Sequence, residues 1–300
     1  MRMTVRVWIA GLVAVAATVH AGAGRAAALM DWPDLLARPL PAPTERIAYG
    51  PGPLQFGELW LPRGPGPFPV VLMVHGGCWL SSVAKLGIMD YAAEDLRRRG
   101  IAVWNIEYRG VDRPGGGYPG TFEDVAAAAD ALAQIGPAHH LKTDRVLALG
   151  HSAGGHLVLW LAARGRIAAS SPLKSARPLP IAGVISLGGV QDLALDHQED
   201  VCGAENVEKL VGAPAVTHPD VYADTSPAEL GPGPEPEVLI SGLEDQLAPP
   251  SLAAAYATRM KGAHIRQIVL ADTGHVELIS PGSAAWSRVT EVMNAFFHPR

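Results

Sequence analysis

Cysteine is scarce in this chain, charge is sparse and basic residues are not in surplus, and each scarcity closes off a class of function. Only Cys78 and Cys202 occur among 300 residues. Neither has a Cys or His partner at zinc-ligand spacing, so no metal site is expected. The two leave open a single Cys78–Cys202 bridge or two small buried hydrophobes. Charged residues make up 18% and the formal net charge is -5, so the basic footprint of a nucleic-acid partner is missing. Hydrophobic residues make up 48%, which is a globular rather than a disordered balance.

Long apolar runs are scarce too. VWIAGLVAVAATV (7–19) is the one candidate, behind Arg2 and Arg6 and ahead of the small residues HAGAGRAAA (20–28). That layout is a secretory signal peptide over residues 1–28. The run is short of the roughly 20 residues a membrane span needs. A periplasmic or secreted protein is expected, with no stable membrane anchor after cleavage; a retained N-terminal anchor is the alternative. Cleavage removes Arg2, Arg6 and Arg25 and no acid, so the mature chain is more negative still.

From residue 29 onward the length suits one domain with a substantial core. DWPDLLARPLPAPTERIAYGPGP (31–53) is Pro-rich and reads as an extended lead-in, and LQFGELWLP (54–62) alternates as an edge strand would. Short apolar runs then alternate with amphipathic stretches. VVLMVH (70–75), IAVWNIEYR (101–109), RVLALG (145–150), IAGVISLGG (181–189), EVLISG (237–242) and IRQIVL (265–270) read as strands. Helices are expected over 89–100, 122–136, 155–165 and 283–297. Near-continuous apolar strands separated by helices predict an α/β fold, a doubly wound, mostly parallel sheet with helices on both faces. The polar, Pro-rich stretch 191–236 interrupts the alternation. It reads as an insertion or lid over the sheet edge, with a short helix at 204–212.

LALGHSAGGHLVLW (147–160) carries the first chemical signal. Ser152 follows a buried strand and opens an apolar helix, the context of a nucleophile elbow, although a serine there also serves as a helix N-cap. A serine hydroxyl hardly ionises near neutral pH, so a nucleophile needs a base. Asp245 in ISGLEDQLAPP and His275 in LADTGHVELI each fall in the loop after a later strand, in the order Ser, Asp, His. His275 accepts the serine proton in this scheme, and Asp245 fixes its tautomer. Glu244 and Asp272 are the rival acids. His156, on an apolar helix face, reads as a packed, hydrogen-bonded histidine. An oxyanion needs donors: Ala153 N–H is one, and the loop HGGCWL (75–80) offers Gly77 and Cys78. Thr121 reads as a helix cap, and Tyr108 and Arg109 as residues shaping the loop past their strand.

VHGGCW, IEYRG, GYPGTFEDV, GHSAGGH, GLEDQLAPP and TGHVEL together resemble the α/β-hydrolase superfamily. More narrowly, they resemble its esterase/lipase branch with an HGG-type oxyanion loop, including kynurenine formamidase-like and BD-FAE-like members. The resemblance runs from about Val70 to His275. It implies an α/β-hydrolase fold over residues 29–300, the triad Ser152, Asp245 and His275, and oxyanion donors Gly77, Cys78 and Ala153, without a cofactor. One departure stands out: Cys78 occupies the place of a third glycine, giving the HGGxW form of the formamidase-like group. Trp79 is left as a core anchor or a border of the acyl pocket.

The reading that results is a secreted serine hydrolase cleaving a small-molecule carboxylic ester through an acyl-enzyme on Ser152. An arylformamidase-like amide hydrolase, an exported peptidase and a non-catalytic binding protein on the same fold are the alternatives. The oligomeric state is not readable.

Overall fold

The computed structural model describes residues 29–213, 215–261 and 264–299; the expected leader, 1–28, lies outside them. Its strands are β1 (Glu45–Ala48), β2 (Phe56–Trp60), β3 (Phe68–Val74), β4 (Ala102–Ile106), β5 (Leu141–His151), β6 (Ile181–Leu187), β7 (Glu237–Gly242) and β8 (Ile265–Leu270). They form one sheet in the order β1-β2-β4-β3-β5-β6-β7-β8. Strand β2 runs antiparallel to both neighbours, and every pairing from β4 to β8 is parallel. Together with helices on both faces this is the α/β-hydrolase fold.

The apolar runs are explained by burial on two sides. In β3, Val70, Leu72 and Val74 belong to one core cluster, while Val71 and Met73 belong to the other. A strand between two helical layers needs apolar residues at every position rather than every second one. Helices Gly120–Asp130 and Ala153–Ala163 cover the first face, and Asp90–Arg98 and Ala284–Phe297 cover the second.

Three expectations are corrected. The lead-in 31–53 is not merely extended: it holds the short helix Trp32–Leu36 and the edge strand β1. The stretch expected as one helix over 122–136 is divided between Gly120–Asp130 and Leu132–Ala138. The insertion does not lie over a sheet edge. It joins β6 to β7, which pair directly inside the sheet, and its helices Leu193–Glu199, Ala204–Val211, Pro219–Thr225 and Pro227–Leu230 sit over loops that follow central strands. Tyr118 N–H, in the loop after β4, donates to Leu210 O at 2.7 Å. Cys202 is bonded to Cys78, in the loop after β3. Among the described residues no helix is long and apolar enough to cross a membrane.

Candidate active site

Strand β5 delivers the chain to Ser152, and the helix Ala153–Ala163 departs immediately after it. The turn is tight enough to force Ser152 to φ 56° and ψ -124°, a left-handed conformation that a non-glycine residue adopts at a cost of about 1–3 kcal/mol. No side-chain hydrogen bond of Ser152 caps the helix, so the hydroxyl is not occupied by that structural role. A Cβ on Gly154 would run into the carbonyl oxygens of Val74 and His75, so the elbow's glycine permits helix and sheet to close on each other. Ser152 N–H donates to Leu187 O at 2.9 Å, which fixes the elbow to the end of β6.

Asp245 and His275 come together across the loops after β7 and β8. His275 Nδ1 lies 2.7 Å from Asp245 Oδ2, and Asp245 is 2% and His275 7% exposed. The second Asp245 oxygen accepts the amides of Leu247 and Ala248, both at 2.9 Å. With the carboxylate so held, Nδ1 carries the proton and Nε2 is the free basic nitrogen. Gly188, at φ 49°, makes room for the pair: a Cβ there would lie 2.9 Å from Asp245 Oδ2 and 3.0 Å from His275 Nδ1. Neither rival acid bonds the imidazole: Glu244 Oε2 is buried without a hydrogen-bond partner among the described residues, and Asp272 sits in an exposed turn at φ 51°.

His151 links this pair to Ser152. Its Nε2 donates to His275 O at 3.1 Å, and the two rings stand 4.3 Å apart between centroids. Burial, then the neighbouring His275, holds the His151 pKa well below the ordinary histidine value. It therefore stays neutral and donates from Nε2 alone, leaving Nδ1 buried without a partner. Nothing in the motif distinguishes this histidine from its neighbours; the signal is three-dimensional.

The loop after β3 approaches from the other side, since a Cβ on Gly76 would lie 2.7 Å from Ser152 Cβ. His75 Nδ1 is 2.7 Å from Gly76 O, and His75 Nε2 is 2.9 Å from Glu107 Oε1. A trans-planar peptide points its N–H opposite its C=O, so fixing Gly76 O fixes the direction of Gly77 N–H. Burial alone raises the Glu107 carboxyl. The charge of His75 and hydrogen bonds from His75, Tyr108 N and Leu86 N reverse that and bring it below the ordinary glutamate value. The Tyr108 hydroxyl donates to His75 O at 3.1 Å and its ring stacks on the imidazole.

Gly77, Cys78 and Trp79 follow in consecutive left-handed conformations, φ 105°, 49° and 57°. Glycine takes that geometry freely, whereas Cys78 and Trp79 take it under restraint. Cys78 is disulfide-bonded to Cys202, with Cα atoms 5.2 Å apart, which resolves the choice left open by the sequence. Trp79 is fully buried, a core anchor rather than an exposed rim, and its indole N–H donates to His156 Nδ1 at 3.2 Å. His156 Nε2 donates in turn to Thr225 O of the insertion at 2.9 Å, and burial lowers its pKa to about 4. Among the described residues, the N–H groups of Gly77 and Cys78 have no backbone or side-chain acceptor. Ala153 opens its helix, where N–H groups lack an intrahelical partner.

Thr121 is not the expected cap. The helix begins at Gly120, and Thr121 Oγ donates to Arg109 O at 2.6 Å while accepting Gly117 N–H at 2.9 Å. Arg109 forks onto both oxygens of Asp124 at 2.7 Å each. These contacts brace the loop that follows β4.

Comparison with known proteins agrees with the fold. The BD-FAE family model matches residues 58–260. No curated protein matches the chain. Among solved structures it is similar to a bifunctional GH43-CE protein of Bacteroides eggerthii, at 18% identity and TM-score 0.69. That match covers 84% of this chain and only 38% of the Bacteroides one. Esterase B of Lactobacillus rhamnosis is similar at 20% identity and TM-score 0.71, with 88% of each chain covered. Esterase 2 of Thermogutta terrifontis, phosphonylated by sarin, is similar at 17% identity and TM-score 0.69, over 89% of this chain and 97% of that one. With the family match spanning more than half its length and the sheet order and elbow in place, the chain belongs to the BD-FAE family, in the esterase branch of the α/β-hydrolase superfamily.

Proposed function

We propose that this protein is an exported serine esterase in which Ser152 attacks a carboxylic ester. The observation that carries the reading is the buried Asp245–His275 pair at 2.7 Å, tied to His151, the residue beside Ser152. His275 Nε2 takes the proton of Ser152 as Oγ bonds to the ester carbonyl carbon. The N–H groups of Gly77, Cys78 and Ala153 receive the oxyanion, each contributing about 3–4 kcal/mol to transition-state stabilisation. His275 then returns the proton to the departing alcohol. Water, deprotonated by the same nitrogen, releases the acid and regenerates Ser152. That the similar Lactobacillus and Thermogutta proteins are esterases, and that the latter is phosphonylated by sarin, supports the same chemistry.

A shallow, open cleft of about 440 Å³ adjoins the oxyanion loop, lined by Leu36, Leu40, Val83, Ala84, Ile88 and Tyr91 together with the polar Ser81, Ser82 and Lys85. A Cβ on Gly77 would touch the Ala84 Cβ at 2.7 Å. In our reading this cleft receives an apolar group of the ester. Nitrophenyl esters of rising acyl length, assayed beside N-formyl anilides, test the substrate class. Esters are expected to turn over faster, with KM falling as the acyl group lengthens. Faster turnover of the formyl amide would reassign the protein to the formamidase-like group, whose HGGxW form it shares.

Export rests on the basic start, the apolar run 7–19 and the small residues that follow, and it suits a disulfide, which persists in oxidising compartments. Intact mass of the non-reduced protein recovered outside the cytoplasm is expected to show a new N-terminus between residues 21 and 29 and no thiol hydrogens. A retained Met1 on that protein overturns cleavage in favour of a retained N-terminal anchor, and recovery of the chain in the cytoplasm alone overturns the export reading.

A further inference from the structure

Residues 29–38, which no motif marks, grip the loop that carries His275 at both ends and in the middle. At one end, Met30 N–H donates to Glu277 Oε1, and the other oxygen of the same carboxylate accepts Gly274 N–H at 3.0 Å. Glu277 is only 8% exposed. In the middle, the Trp32 indole stands edge-on to His275 and His151, with centroids 6.4 Å and 6.0 Å away. At the other end, Arg38 Nη1 donates to Pro281 O at 2.9 Å, and the Tyr91 hydroxyl fixes Arg38 O at 3.2 Å. The segment keeps its own shape. Asp31 and Asp34 close a reciprocal capping box around the short helix, and Leu35 is fully buried beneath it.

These contacts supply restraints that the Asp245–His275 hydrogen bond does not. One hydrogen bond at Nδ1 leaves the imidazole free to pivot about it and leaves the loop free to shift as a body. Glu277 fixes the backbone immediately before His275, and His151 fixes the carbonyl of His275 itself. Trp32 packs on the rings of both histidines. A base displaced by about 1 Å from its proton donor costs about 10²-fold in rate. We propose that the segment 29–38 is a positioning element of the active site: its Trp32, and its Met30 acting through Glu277 of the His275 loop, hold His275 at the angle that takes the Ser152 proton. This rests on the serine-hydrolase reading.

The test uses the mature chain with nitrophenyl acetate, and active sites titrated by a fluorophosphonate so that rates are expressed per competent site. Trp32→Ala is expected to lower kcat about 10²-fold at unchanged KM and to displace the acid limb of the kcat/KM–pH profile, with Trp32→Phe restoring most of the rate. Glu277→Gln, which keeps the side chain's size, is expected to lower kcat in the same sense and covers the case in which Trp32→Ala does not fold. A lower melting temperature with wild-type kcat per titrated site and an unmoved pH profile, in either folded variant, means a merely structural strap and overturns the proposal. Failure of the wild-type enzyme to react with the fluorophosphonate is a different result, and it removes the serine-hydrolase reading together with the strap.

Discussion

Ser152→Ala is expected to lower kcat on nitrophenyl esters by about 10⁶-fold and to abolish covalent labelling by a fluorophosphonate. The size follows from the chemistry assigned to the residue. Without Oγ no acyl-enzyme forms, and only binding and the oxyanion donors remain to assist attack by water. The substitution keeps Cβ, so the strained φ of 56° persists. No hydrogen bond of the helix is lost either, since the hydroxyl caps nothing. Stability is therefore expected to stay within about 0.5 kcal/mol of wild type, which denaturant melts check. Mass spectrometry of the labelled wild-type protein should place the adduct on Ser152. Activity surviving in Ser152→Ala, or an adduct on another residue, would sink the nucleophile assignment.

Asp245→Asn is expected to lower kcat by about 10⁴-fold with little change in fold. The direction is set by which oxygen does what. One Asp245 oxygen accepts the amides of Leu247 and Ala248, and the other accepts His275 Nδ1–H. An asparagine has only one oxygen, and two backbone donors claim it; the NH2 group is left facing His275. A donor at that position drives the proton from Nδ1 to Nε2, so the nitrogen that should take the Ser152 proton is already occupied. Steady-state kinetics on the ester, with a melt to confirm folding, checks this. A kcat close to wild type would mean that Asp245 is only a turn residue.

The parts legible in the sequence are those where one physical demand acts on consecutive residues. Strands β3 to β7 sit between two helical layers, so continuous apolar runs marked them. Strand β1, ERIA, is mostly exposed, and it carries no comparable pattern. Charge at Glu45 and Arg46 suits an edge that must not pair with another chain. The Ser, Asp and His positions were legible because the fold delivers each to a loop at the same end of the sheet. His151, Glu277 and Trp32 were not, because their roles depend on which loops meet. The insertion was misplaced because strand adjacency, here β6 beside β7, is not encoded in composition. The Cys78–Cys202 bridge stayed open for the same reason: its partners are 124 residues apart.

That bridge also divides the molecule topologically. It closes the backbone from 78 to 202 into a covalent ring that contains Ser152 and Ala153, while Asp245 and His275 lie on the linear tail beyond it. A ring of this size removes chain entropy from the unfolded state worth about 5 kcal/mol. It also orders assembly. On the export reading both sulfurs reach the oxidising compartment before either member of the acid–base pair, so the half bearing the elbow and the oxyanion loop can be locked while β7 and β8 are still to come. A single backbone cut within the ring leaves its pieces joined, whereas a cut between β6's insertion and Asp245 sets the acid–base pair free of the nucleophile.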